Sequence, residues 1–197
     1  MARTPIPDRD ESTTELTFES VYDEMVGFVW RTARRLGVEG YALDDVCQQV
    51  FVAVHRGLPE FGGVVPLKAW VFRILQHSVR MHREAAAKSA RVLPSKEGSS
   101  DPERTGTADR AAYELVSSAQ ALRIAHKILE SLTEEKREVF VLVELEQWSP
   151  SEAAIALGVD ADTVNARLRL ARKEFALASQ RIRIRDTLRN RDSWRAE

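Results

Sequence analysis

Residues 158–175, GVDADTVNARLRLARKEF, combine an apolar repeat with a run of cations. Val164, Leu168, Ala171 and Phe175 recur at helical spacing, which leaves Asn165, Ala166, Arg169 and Lys173 on the opposite side. Guanidinium, carboxamide and ammonium groups on one exposed helix face have the chemistry to read base edges and to hold phosphates. The same pattern also suits an ordinary helical hairpin with solvated arginines. A second segment offers comparable chemistry: LKAWVFRILQHSVRMHREAAAKSAR, residues 67–91, sets Lys68, Arg73, Gln76, His77, Arg80 and Arg83 opposite an apolar stripe of Leu67, Trp70, Val71, Ile74, Leu75, Ser78 and Val79. Glu84 is its one acid, and Phe72 is interleaved with the basic groups. Cations for phosphates, amide and imidazole for base edges, and aromatics for unpaired bases fit contact with melted DNA. A third segment, ALDDVCQQVFVAVHRGL, residues 42–58, sets Asp44, Asp45, Gln48 and Gln49 around an apolar stripe of Leu43, Val46, Cys47, Val50 and Val54. Acids in a first turn favour the helix dipole. They would serve equally as a docking strip for a basic partner, and spacing leaves both readings open.

The elements that must position these groups are helical throughout. Ser149, Pro150 and Glu152 in WSPSEAAIALG make a capping box that starts a short helix, and Gly158 suits its left-handed end. Asp160 is placed to cap the next helix. With Ala154 small and Val164 apolar, the spacing is that of a helix-turn-helix. PEFGGVVPLKAW, residues 59–70, is broken by Gly62, Gly63 and Pro66 and reads as a loop. We expect an all-α fold of two small helical domains: a polar, disordered segment 1–16, a first domain 17–91, a flexible linker 92–110, a helix-turn-helix domain 111–182 and a basic C-terminal tail 183–197. The tail contains Arg183, Arg185, Arg189, Arg191 and Arg195.

Composition narrows the function classes. Formal net charge over the 197 residues is −1, so a DNA surface must arise from local sorting of charge. Cys47 is alone, which excludes an intrachain disulfide. The N-terminus lacks the apolar stretch of a secretory signal, and no run is long enough to span a membrane, which leads to the expectation of a soluble cytoplasmic chain. Catalysis and cofactor or metal binding are not expected. His77 and His82 are five apart and off a shared helical face, Asp44 and Asp45 diverge by about 100°, and Gly62-Gly63 lacks the Lys-Ser/Thr of a phosphate loop.

In chain order, FESVYDEMVGFVWRTARRLG, LDDVCQQVFVAVHR, PLKAWVFRILQHSVRMHRE and LESLTEEKREVFVLVELEQWSPSEAAIALGVDADTVNARLRLARKEF resemble an extracytoplasmic-function sigma factor of bacterial RNA polymerase over about residues 18–178. The resemblance implies partners: core polymerase, promoter DNA, and an anti-sigma factor that holds the protein inactive. It also implies roles. Asp44, Asp45, Gln48 and Gln49 would face core polymerase. Arg73, Gln76, His77, Arg80 and Arg83 would face the melted minus-ten strand. Asn165, Ala166, Arg169 and Leu170 would face minus-thirty-five bases, Arg167 and Arg172 would lie near the backbone, and Lys173 adds a cation on the same helix. Gln49 stands where the family commonly has Glu, Gln76 and His77 where it has an Arg-Asn pair, and Asn165 and Leu170 where it has basic residues. Those changes remove cations from the DNA face and alter the base preference the family would otherwise imply; Asn165 suits adenine and Arg169 guanine. The competing reading is a conventional helix-turn-helix regulator, which would use residues 149–175 and leave the first domain unexplained.

Overall fold

The computed structural model describes residues 16–92 and 110–193. The expected disordered start and flexible linker, and Arg195 of the expected tail, fall almost entirely outside them. Among the described residues there are only helices and turns: α1 (Phe18–Arg35), α2 (Tyr41–Gly57), a short 3-10 turn (Leu58–Glu60), α3 (Leu67–Val92), α4 (Arg110–Ser131), α5 (Glu134–Phe140) running into a π-helical turn (Val141–Leu145), α6 (Pro150–Leu157) and α7 (Ala161–Ser193). The all-α reading stands. The segment from 183, read as a tail, continues α7 as helix to Ser193.

Helices α1, α2 and α3 form the first lobe. Thr17 caps α1 by accepting from the Ser20 amide at 3.2 Å. Val21, Met25, Phe28, Val29 and Thr32 then line its inner face. In α2, Val46, Val50 and Val54 are fully or almost fully buried. The stripe of α3 differs from the one the sequence suggests. Val71, Phe72 and Leu75 are completely buried, whereas Trp70 is half-buried with its ring centroid 4.8 Å from that of Phe61. The reason is that α3 is packed on two sides, by α1 and α2 and also by α6 of the second lobe.

The second lobe is built on local signals that the sequence states openly. Ser149 and Glu152 form the reciprocal capping box of α6. Gly158 takes the left-handed conformation at φ 68°, and Asp160 accepts from the Thr163 amide at 2.6 Å. Val164, Leu168 and Ala171 seat α7 against the lobe, and Phe175 stacks on Phe140 at 4.8 Å. These contacts make the helix-turn-helix.

The two lobes share one hydrophobic core. Its joint is Trp148, which follows Gln147, a non-glycine residue at φ 59°. The indole stacks on Phe28 of α1 at 5.8 Å, meets Phe72 of α3 edge-on at 6.0 Å, and has the Lys68 ammonium 4.9 Å above it. Its Nε1 is buried without a hydrogen-bond partner. Trp148→Ala should therefore cost about 3–5 kcal/mol and lower the thermal midpoint clearly. Trp148→Phe keeps an aromatic ring in place and removes the unpaired N–H, so it should cost much less. Equal losses for the two variants in thermal unfolding would contradict ring packing as the source of the joint's strength.

Candidate functional site

Three groups of residues stand out, and the fold treats each differently. Asp44, Asp45, Gln48 and Gln49 are all exposed along the outer side of α2. Leu43, Val46 and Val50 anchor the opposite side, so the strip is held rigidly and kept in water. Beside it, Phe18, Tyr22, Val26, Trp30, Phe51 and Val52 line an open groove that Asp44, Cys47 and Gln48 border. Burial, and then the neighbouring Asp44 carboxylate, push the Cys47 thiol upward, which keeps it protonated and disfavours it as a nucleophile.

On α7, Asn165, Ala166, Arg169, Leu170, Arg172 and Lys173 are exposed and Arg167 is half-buried. This face points away from the lobe's apolar core. Arg172 is committed within the lobe: its Nε donates to Glu144 at 2.9 Å. The Asp160 carboxylate is held below its ordinary range by the hydrogen bonds it accepts from Thr163, which keeps the cap charged at the start of this helix.

The α3 group is arranged in a way the sequence did not disclose. Arg73 donates from Nε to the Ala156 carbonyl at 3.1 Å and also to the Ile155 carbonyl. These are last-turn carbonyls of α6, which lack helical partners and sit at the negative end of the helix dipole. Gln76 donates to the Glu138 carboxylate of α5 at 2.8 Å. Arg80 and Arg83 lie 3.7 and 3.8 Å from Glu134. Arg83 also donates to the Leu36 carbonyl at the end of α1. His77 is exposed. Thus Arg73, Gln76, Arg80 and Arg83 meet the second lobe or the end of α1. Phe72, expected among the aromatics available to a base, is fully buried against Trp148.

Further contacts join the lobes, and residues that sequence reasoning passed over make them. Glu146 is nearly enclosed; it accepts from Arg35 and from Thr32 at 3.3 Å, with Arg31 at 3.7 Å. Arg137 donates to the carbonyls of Leu129, Glu130 and Leu132 at the end of α4, and reaches across to Leu36 at 3.1 Å. Nothing in the spacing of these residues announces a partner in the other lobe, because each partner is a backbone carbonyl or lies far away in the chain.

Two family models match this architecture: Sigma-70 region 2 over residues 21–89 and Sigma-70, region 4 over residues 122–175, between them more than half of the chain. The ECF RNA polymerase sigma factor SigL of Mycobacterium tuberculosis is 26% identical over 164 residues, covering 83% of this chain and 89% of that protein. RNA polymerase sigma factor CnrH of Cupriavidus metallidurans is 29% identical over 150 residues, covering 74% and 78%. The structure of CnrH in complex with the cytosolic domain of CnrY is similar with a TM-score of 0.59 and 25% identity, covering 83% of this chain and 87% of that one. The sigma factor RpoE in complex with the anti-sigma factor NepR, from Bartonella quintana, shares the fold with a TM-score of 0.64 at 19% identity, covering 83% and 96%. The chain belongs to the sigma-70 family, in its extracytoplasmic-function group of alternative RNA polymerase sigma factors. No described helix is long and apolar enough to cross a membrane.

Glu138 gives the contact between the lobes a pH dependence. Burial raises its carboxyl above the ordinary range, and the hydrogen bond from Gln76 offsets this only in part. The folded state then binds the proton more tightly than the unfolded chain does. Stability falls as pH rises from about 4.3, the ordinary glutamate value, through the raised folded value. Glu138→Gln should match the parent near pH 4 and exceed it at pH 7 in denaturant unfolding. Parallel stability curves across that range would refute the assignment.

Proposed function

We propose that this sigma factor engages core polymerase through the α2 strip, Asp44, Asp45, Gln48 and Gln49, and reads duplex promoter DNA upstream through α7. The observation that supports this best is the simultaneous exposure of those two faces on a chain whose lobes match region 2 and region 4. On α7, Asn165, Ala166, Arg169 and Leu170 would face bases, and Arg167 and Lys173 would lie toward phosphates, with Arg172 joining them once it leaves Glu144. Asn165 has the geometry for adenine and Arg169 for guanine. No bond is made or broken by the protein. Its work is to place polymerase and to capture unpaired bases, which offsets the few kcal/mol of unstacking.

The minus-ten residues act in a second step. Arg73, Gln76 and Arg83 have donors engaged by the second lobe or by the end of α1, so separation of the lobes would free those donors for the melted strand. His77 and Arg80, both exposed, would join them. Core polymerase favours separation if it binds the open form more tightly, since a partner shifts such an equilibrium only by its difference in affinity. An anti-sigma protein would favour the opposite. The CnrH structure is a complex with the cytosolic domain of CnrY, and the groove between α1 and α2, with Tyr22, Trp30 and Val52 exposed along it, suits an apolar helix face.

Transcription with purified core polymerase and a pool of promoter fragments tests the proposal: protein-dependent transcripts should share upstream motifs. Transcripts absent while the chain alone binds discrete DNA sites would favour the conventional helix-turn-helix regulator. Arg169→Ala should lose about 1–3 kcal/mol of discrimination at one upstream base; a uniform loss across all upstream sequences would mark a phosphate contact instead. The double change Asp44→Asn and Asp45→Asn should weaken core binding about two- to thirty-fold and leave duplex binding by the second lobe unchanged. Undiminished affinity for core would move the docking face elsewhere.

A further inference from the structure

We propose that Glu39, His126 and Glu130 form a binding site for a zinc-class divalent cation that ties the two lobes together. Glu39 lies in the turn between α1 and α2, flanked by Gly37 and Gly40, both at positive φ. His126 and Glu130 are four apart on α4, one turn above each other on the same face. One carboxylate thus comes from the first lobe, and a His-Glu pair from the second.

The three donor atoms already converge. His126 Nε2 is 2.8 Å from Glu39 Oε1 and 3.6 Å from Glu130 Oε1. All three ligand atoms lie within 4.8 Å of one another. Around a tetrahedral zinc with bonds near 2.1 Å, ligand atoms stand about 3.4 Å apart. Small side-chain adjustments would therefore close the site.

The His126 nitrogen argues for an ion over a plain ion pair. A ring N–H donating to Glu39 would satisfy it without any metal. Yet Nε2 is buried and has no hydrogen-bond partner, although a carboxylate oxygen is within reach. The oxygen must therefore stand off the N–H line, which a hydrogen bond does not tolerate. Ligands around a cation do stand off that line, because each points at the ion and not at its neighbour.

The chemistry of the donors selects the ion. One imidazole and two carboxylates suit zinc and its transition-metal neighbours. Calcium and magnesium prefer all-oxygen shells of six or more ligands. Two carboxylates neutralise a dication. The side chains of Glu39 and Glu130 are 68% and 46% exposed, which gives the ion a path in and leaves a fourth position for water. The Arg137 guanidinium, close by, donates to backbone carbonyls and not to these carboxylates.

The site exists only while the lobes are together. It deepens the two-step reading above by naming an ion that favours the closed form, and it rests on that closed form without depending on promoter recognition. The test is titration of the full chain with zinc chloride, followed by calorimetry and, with cobalt(II), by visible absorption. One equivalent should bind, at least tenfold more weakly after His126→Ala and after Glu39→Gln. The thermal midpoint should rise with zinc in the parent and not in these variants. No saturable binding, or binding unchanged by His126→Ala and hence due to Cys47 or another histidine, would overturn the site. Binding that needs His126 but is indifferent to Glu39→Gln would overturn the tie between lobes. Far-ultraviolet circular dichroism of the metal-free variants guards against misfolding, and His126→Gln replaces His126→Ala if the latter fails to fold. A calorimetric failure would leave promoter recognition standing, and a failure of Arg169→Ala to alter base preference would leave the isotherm standing.

Discussion

The insertion of Trp148 between Phe28 and Phe72 organises this molecule. A large ring buried between two helices of one lobe and the turn of the other contributes both transfer free energy and close packing. Around it, arginines reach the ends of α1, α4 and α6. Arg35, Arg73, Arg83 and Arg137 satisfy carbonyls that helix termini leave without partners. Each such bond is modest by itself. They run both ways across the junction: Arg35 and Arg73 reach the second lobe, Arg137 reaches back to the end of α1, and Arg83 closes on the same Leu36 carbonyl from within the first lobe. The apolar joint and the charged rim act together, as in a protein–protein interface with a hydrophobic core and a polar border.

This arrangement bears on how a promoter-reading protein avoids acting alone. A guanidinium that satisfies a helix carbonyl and one that neutralises a phosphate use the same donors. Arg73 cannot do both. On the proposed reading, competition between an intramolecular carbonyl and an external phosphate would make the closed form resist DNA at α3, while α7 stays exposed. Glu138, Glu134 and Glu146, all on the second lobe, supply the acids that the first lobe's amide and basic groups face. Buried Glu138 is the costliest of these, since its carboxyl is taken from water with an amide as its hydrogen-bonding partner.

Much of the fold was legible in the sequence, and the reason is locality. A capping box at Ser149–Glu152, a glycine at 158 and an aspartate at 160 act within one helical turn, so their meaning does not depend on distant residues. The apolar faces of α2 and α7 were readable for the same reason: each meets only its own lobe, and one stripe per helix suffices. Helix α3 was only half readable. It is packed on two sides, so Phe72 is buried where a single-stripe reading left it available to a base. The exposed strips on α2 and α7 appear in the structure at the expected residues.

What the sequence determined by itself was the set of helices, their caps and the solvated faces of α2 and α7, because these follow from hydrogen bonds and periodicity within a few residues. Only the tertiary structure decided what Arg73, Gln76, Arg80 and Arg83 touch, and why Trp148, Glu138 and Glu146 matter. Their partners come from the other lobe, and several are backbone carbonyls with no side-chain signature. The meeting of Glu39 with His126 and Glu130 belongs to the same class. A pair four apart on α4 is visible to helical periodicity, but the third group arrives only because the lobes pack.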